Sequence, residues 1–400
     1  MREDIEQNER VVVPPGSSPS PFNGERAGVR GGTVVWCSQW RMCFGLITPH
    51  PQSLSPLRGE GGWRRWDRVA AWLCLVLLLA AGCATAPRPP QIVKHSEFIY
   101  DRAPFPSCHA STLVETKSGL MAAWFGGTDE GHPDVTIWIA RHDGKNWSAP
   151  MEVATGVQAD GTRFPCWNPV LFQSPQGPLL LFYKVGPNPS QWWGMLMKSE
   201  DAGQTWSKPG RLPENILGPV RAKPVLIGDT LWCGSSSEHD GWRVHLEFTR
   251  DLGATWTRSA ALNDGREFSA IQPTILPWSP QRIQLLCRSR QGKVTECWTR
   301  DGGKTFSPMR ATALPNPSTG VDSIILKDGR ALIIFNNTPR GRTPLSIASS
   351  RDGANWTNVV TLENEPGEYS YPAMIQTRDG RVHVTYTWKR QRIKHVVLEP

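Results

Sequence analysis

Six polar residues recur at one register of the chain. His109, Asn168, Lys223, Gln272, Asp322 and Tyr371 each open a short apolar run, and Asn168, Lys223, Gln272 and Tyr371 are each followed by proline. Proline is tolerated at the first residue of a strand, so this register marks strand starts. Hydrogen-bonding side chains that converge on one place are costly to order unless they face water or a ligand. Their types differ from one run to the next, which favours a ligand site over a solvated channel mouth. Cations gather nearby in the sequence pattern. Lys184, Arg288 and Arg290 close second runs, while Arg243, Arg342 and Arg392 begin third ones. The planar guanidinium fork suits a carboxylate. His109 with a tyrosine can act as a base/acid pair that removes the proton beside a carboxylate, with an Arg or Lys223 neutralising that carboxylate.

The elements that must bring these residues together are written in a repeat. Ser199-Glu-Asp-Ala-Gly-Gln-Thr-Trp206, Thr249-Arg-Asp-Leu-Gly-Ala-Thr-Trp256 and Thr299-Arg-Asp-Gly-Gly-Lys-Thr-Phe306 align without gaps. Arg141-His-Asp-Gly-Lys-Asn-Trp147 and Ser350-Arg-Asp-Gly-Ala-Asn-Trp356 are one residue shorter. The five aspartates, at 143, 201, 251, 301 and 352, are spaced by 58, 50, 50 and 51 residues. A period near 50 fits one four-stranded blade of a propeller. Asp-x-Gly is turn chemistry, in which the carboxylate takes backbone N–H groups and the glycine accepts positive φ, so the boxed aspartates are read as structural. The pattern predicts an all-β fold, a six-bladed β-propeller of four-stranded antiparallel blades over residues 92–400. The sixth blade has no box, and residues 92–100 should supply its fourth strand and close the ring without a free edge.

The N-terminal part reads differently. Residues 1–62 are rich in Pro, Gly, Ser and Arg and lack a hydrophobic period, as expected of a disordered or over-extended leader. Residues 63–83 resemble a lipoprotein-type signal peptide: Arg64, Arg65 and Arg68 precede the apolar run 69–81, and Leu79-Ala-Ala-Gly-Cys83 places a cysteine for lipidation directly after small residues. Residues 84–91 form a Pro-rich linker. An exported, membrane-anchored protein is expected, touching the membrane through the lipid only. The net charge of +8 is spread without a Lys/Arg run, which argues against nucleic acid. The nine cysteines show no CxxC pair and no Cys/His metal spacing, so no metal and no cofactor are expected. Buried thiols are the simplest reading, and a Cys108–Cys166 bridge is the one pairing considered. A monomer is expected.

With its boxes and polar ring, the chain resembles the sialidase (neuraminidase) superfamily in its BNR-repeat branch, over roughly residues 95–398. The resemblance implies a site in which three arginines grip the substrate carboxylate. Arg288, in Leu-Leu-Cys-Arg-Ser-Arg, matches the second and Arg342 the third, whereas His109 stands where the first is expected. Glu368-Tyr-Ser-Tyr-Pro matches the nucleophile motif and points to Tyr369, with Tyr371 close by. The activating glutamate of the family is replaced by Gln272. Asp129, Glu130 and Asp134 are the candidates for the acid. The implied function is a sialidase-like, exo-acting glycoside hydrolase on a terminal acidic sugar, of sialic or uronic acid type, with an acidic glycan as partner. Asn168, Lys223, Asp322, Tyr371 and Arg243 would complete the substrate contacts. Two other readings stand beside it: a uronic-acid polysaccharide lyase using His109 and a tyrosine, and a glycan-binding lipoprotein without catalysis.

Overall fold

The structure, a computed structural model, describes residues 92–400. The leader, signal-peptide and linker expectations for residues 1–91, Cys83 included, lie outside the described residues. Within them the chain forms 24 strands and no helix. The strands make six separate four-stranded antiparallel sheets, the blades of a six-bladed propeller. Five blades are consecutive meanders. The sixth takes three strands from the C-terminal end and its outermost one, Val93–Phe98, from the other end of the described chain. That strand pairs antiparallel with Arg392–Leu398, so the closure expected for residues 92–100 is present. The innermost strands are Ser107–Thr116, Cys166–Gln173, Val225–Ile227, Ala270–Pro277, Asp322–Ile325 and Tyr369–Gln376.

Each blade is covered on both faces by its neighbours, so its second strand reads as an uninterrupted apolar run, not an alternating one. All seven residues of Leu179–Val185 are buried, as are all six of Ala331–Asn336. The hydrophobic core is accordingly divided into six wedges, one between each pair of adjacent blades. Five cysteines fall within these wedges as free buried thiols, so the Cys108–Cys166 bridge is not formed; the Cys108 sulfur accepts a hydrogen bond from the Tyr100 hydroxyl at 3.1 Å.

The boxes do what their composition requires. Asp301 takes the Thr305 backbone N–H at 3.0 Å on one carboxylate oxygen and the Thr305 hydroxyl at 2.6 Å on the other. Asp201 and Asp251 repeat both contacts. The box glycine has a second duty, because it seats the turn on the preceding blade. Gly303 has φ of +90°, and a Cβ there would lie 2.3 Å from the Trp232 ring of blade three. Gly303→Ala combines a strained backbone with that collision, and is expected to cost about 2 kcal/mol or more. Urea unfolding checks this; an unchanged midpoint would show that the turn does not fix the blade spacing.

Candidate active site

The geometry of the site begins with a kink. In blades one, two, four and six the first strand carries a bulge, and the pairing skips two residues after His109, Trp167, Ile271 and Ser370. The first skipped residue has positive φ each time: Ala110 (57°), Asn168 (41°), Gln272 (57°) and Tyr371 (51°). In three of them the next residue is proline, which has no N–H to lose. A bulge re-aims the side chain it carries, here toward the propeller axis. Blade three has its positive φ at Arg221 (71°). Counting from the boxes through the paired strands aligns Arg221 with Gln272, and in blade five Gly320 takes that place. The ring at this register is therefore Ala110, Asn168, Arg221, Gln272, Gly320 and Tyr371.

Three members of the sequence-derived ring are corrected by this. His109 stands one residue before the bulge. Lys223 and Asp322 lie two residues further along their strands, at the level of Thr274, below the mouth. There the Lys223 ammonium meets the Asp322 carboxylate at 2.8–2.9 Å and also donates to Ser323 O. Asp322 further accepts the Thr274 hydroxyl and the Met374 N–H. These two residues stitch blades three to six together along the axis and are not substrate contacts. In blade three Pro224 stands three residues after the positive-φ residue Arg221, not directly after it.

Tyr371 occupies the centre of the mouth. Its hydroxyl accepts a hydrogen bond from Arg288 Nη1 at 2.6 Å. Arg288 also reaches Gln272 Oε1 at 3.4 Å and stacks 5.0 Å from the Trp242 ring. The guanidinium carbons of Arg221, Arg288 and Arg342 lie 5.5, 5.8 and 6.0 Å from the Tyr371 ring centroid. Arg221, only 4 % exposed, is held from behind by Pro372 O and Val321 O at 2.7–2.9 Å. The His109 ring leans on Tyr371 at 4.1 Å between centroids. Its Nδ1 meets Thr387 Oγ1 at 3.0 Å, and its buried Nε2 has no partner among the described residues. Burial first, and then Arg390, Arg342, Arg221 and Arg288, hold the His109 pKa well below the usual range, so the ring is neutral.

Carboxylates sit around the rim. Glu368 accepts Arg342 Nη1 and Arg390 Nε, both at 2.6 Å, and Arg390 turns its other edge to Glu130. Among the described residues no carboxylate lies within ion-pair distance of Arg221 or Arg288, so the floor of the mouth keeps unneutralised cations. Glu238 differs from the other acids. Burial pushes its carboxyl up from the ordinary value despite Arg288 and Arg290, and the Glu130 charge adds to the push.

Other expected site residues have structural duties. Asp134 accepts the Thr128 N–H at 3.0 Å, the Thr128 hydroxyl at 2.6 Å and His132 Nδ1 at 2.7 Å. Against the effect of burial, these contacts bring its carboxyl down to about 2 and make it a loop brace, not a proton donor. Asp129 caps the Glu130 N–H at 2.8 Å. Arg243, at the start of the strand Arg243–Thr249, pairs with Asp240 at 3.2 Å. Tyr369 is 1 % exposed in the wedge between blades five and six, among Ile334, Leu345 and Tyr386. Two residues apart in an unbroken strand, Tyr369 and Tyr371 would share a face; the bulge at 371 separates them and gives the axis to Tyr371. Arg392 packs over Phe98 at 3.6 Å, outside the mouth. Arg221, Glu368 and Arg390 were not singled out from sequence as site residues, and Glu238, placed by its second strand at the mouth, was given no role. Counting from the box would have found Arg221. Among the described residues no group of three or more His, Cys, Asp or Glu is arranged to hold a metal ion.

Residues 118–384 match the BNR repeat-like domain family. No curated protein matches the chain. Among solved structures, a protein of unknown function from Dyadobacter fermentans DSM 18053 is 18% identical with a TM-score of 0.64, over 78% of this chain and 100% of its own. A variant of the NanB sialidase from Streptococcus pneumoniae is 13% identical with a TM-score of 0.63, over 79% of this chain and 72% of its own. The intramolecular trans-sialidase from Ruminococcus gnavus, solved with oseltamivir carboxylate, is 14% identical with a TM-score of 0.61, over 78% and 98%. At these identities the likeness is one of fold.

Proposed function

We propose that this chain, which belongs to the BNR repeat-like domain family, is an exo-acting glycoside hydrolase that removes a terminal acidic sugar, of sialic or uronic acid type, from a glycan. The observation that carries this reading is the buried tyrosine hydroxyl bonded to Arg288, which like Arg221 beside it has no carboxylate partner among the described residues. Arg288, with Arg221 and Arg342 beside it, binds the sugar carboxylate. Tyr371 attacks the anomeric carbon; tyrosine in this role is the known exception to hydrolysis by two carboxylates. The family's activating glutamate is Gln272 here, which cannot take a proton. His109, neutral, packed on the phenol ring and with Nε2 unpartnered, takes the phenolic proton instead. Glu238 protonates the departing glycosidic oxygen and, as carboxylate, then draws a proton from the water that releases the sugar. Glu130, tied to Arg390, orients the rim.

Product mass after incubation with a panel of acidic glycans tests this. Hydrolysis adds one water across the broken bond. The lyase reading is favoured by one observation, the contact of neutral His109 with Tyr371, and predicts an unsaturated, UV-absorbing uronate with no water added. Unchanged glycans would leave binding alone. The acid role has its own signature. The pKa of Glu238 is raised, so its protonated fraction, and with it kcat/KM, should fall as pH rises through that elevated value. In Glu238→Gln this alkaline limb should vanish, and activity should survive better on a nitrophenyl leaving group than on a sugar. An unaltered limb would assign the proton to another group. We also infer export with a lipid at Cys83; release of Cys83→Ser from membranes checks it, and retention would count against it.

A further inference from the structure

We propose a second sugar-binding pocket between blades two and three, one that takes a neutral pyranose and abuts the mouth. A cavity of about 240 Å3 opens there, lined among others by Trp192, Trp193, Leu217, Glu238 and His245. Ligand clefts for larger molecules run to roughly 300–1,000 Å3, so this one suits a single ring.

Its polar floor is built. Glu247, fully buried, accepts the Leu217 N–H and the Gly218 N–H, and its Oε1 lies 2.9 Å from His245 Nε2. A carboxylate only accepts, so the Nε2 nitrogen carries a proton and the ring is held in one orientation. His245 is 1 % exposed, and Nδ1 is buried without a partner among the described residues. A ring nitrogen left without a partner calls for a group that can give or take a hydrogen bond, such as a sugar hydroxyl.

The wall is aromatic. Trp193 is fixed by Arg211 at 4.7 Å and by the edge of Phe164 at 5.6 Å. Trp192 meets Trp167 edge-on at 6.0 Å, an arrangement that keeps an indole face for the apolar C–H side of a pyranose. Arg211 stacks on Trp193, Arg258 donates to Asn215 O at 3.1 Å and Glu214 sets a carboxylate beside them, so the cavity fits an uncharged ring. Two contacts join it to the mouth. Glu238 lines the cavity and lies in the field of Arg288 and Arg290. Trp167 packs beneath Gly131 of the rim loop. The pocket therefore receives the sugar to which the acidic residue is linked, and that direction of the chain is the only part resting on the glycosidase reading.

The test uses lactose and a panel of other neutral β-linked disaccharides, probes without a carboxylate, titrated into the protein by calorimetry. At least one should bind, at millimolar strength or better. Trp192→Ala, at a half-exposed position the fold can spare, should weaken binding at least tenfold, with Trp192→Phe keeping part of it. His245→Phe should weaken it similarly, whereas Arg288→Ala should leave it within twofold. Failure of the whole panel to bind, wild-type affinity in Trp192→Ala, or a loss in Arg288→Ala as large as in Trp192→Ala would each overturn the pocket. Binding with this mutational pattern but no cleavage of acidic glycans would retain the pocket and overturn the glycosidase reading alone.

Discussion

Replacing Tyr371 by Phe should lower turnover of an acidic glycan by at least about a thousandfold, or roughly 4 kcal/mol of transition-state stabilisation. The substitution removes one oxygen, the atom that receives the Arg288 hydrogen bond at 2.6 Å. The ring stays and keeps its packing against His109, so the propeller should fold. Loss of one charge-assisted hydrogen bond should change stability by about 1.5–3 kcal/mol at most. The control is Tyr369→Phe. That ring packs in the wedge between blades five and six and its hydroxyl lies beside Gly367, so its removal should leave turnover within a few-fold of wild type. Steady-state kinetics on the two variants separate the candidates. A large loss in Tyr369→Phe with a small one in Tyr371→Phe would return the nucleophile to the position that the sequence motif alone suggested.

Asp322→Ala should be the most damaging substitution for stability, by about 3 kcal/mol or more in urea unfolding. Asp322 is 1 % exposed and touches four blades: Lys223 of blade three, Thr274 of blade four, its own blade five, and the Met374 N–H of blade six. Truncating it strands an ammonium and a backbone N–H together. Breaking a buried pair from one side costs about 3–5 kcal/mol, and Lys223 retains 19 % side-chain exposure, so the lower end applies. Lys223→Met combined with Asp322→Leu should recover much of the loss, since an apolar pair leaves no unpaired charge. A loss below about 1 kcal/mol in Asp322→Ala would mean that water replaces the carboxylate and that the axis is not stitched at this level.

The architecture was legible because its signals are local. Asp-x-Gly turns and their spacing near 50 residues set the blade count, and the apolar run near residue 93 was left with no partner except the sixth blade. The site was less legible, because it depends on where a strand kinks. Proline after Asn168, Gln272 and Tyr371 marked the kink correctly. Proline after Lys223 did not, and Arg221, followed by alanine, carried no such mark. The nucleophile motif drew attention to Tyr369, and only the bulge shows that Tyr371 faces the axis. Glu238 and Glu130 are both acids on loops in the sequence. What distinguishes them is burial of Glu238 beside Arg288 and Arg290, set by residues some fifty positions away. Asp134 was drawn in by its proximity to the rim, whereas its hydrogen bonds assign it to the loop.

In the proposed reaction Tyr371 forms a bond to an acidic sugar held by the arginines around it. A substrate analogue with fluorine beside the anomeric carbon and a good leaving group slows breakdown of such an intermediate. After acid quench, digestion and mass spectrometry, the account predicts one added glycosyl unit on the peptide containing Tyr371, absent from Tyr371→Phe and strongly reduced in Arg288→Ala. Turnover of acidic glycans with that peptide unmodified, or with the adduct on Tyr369 or another residue, would contradict it.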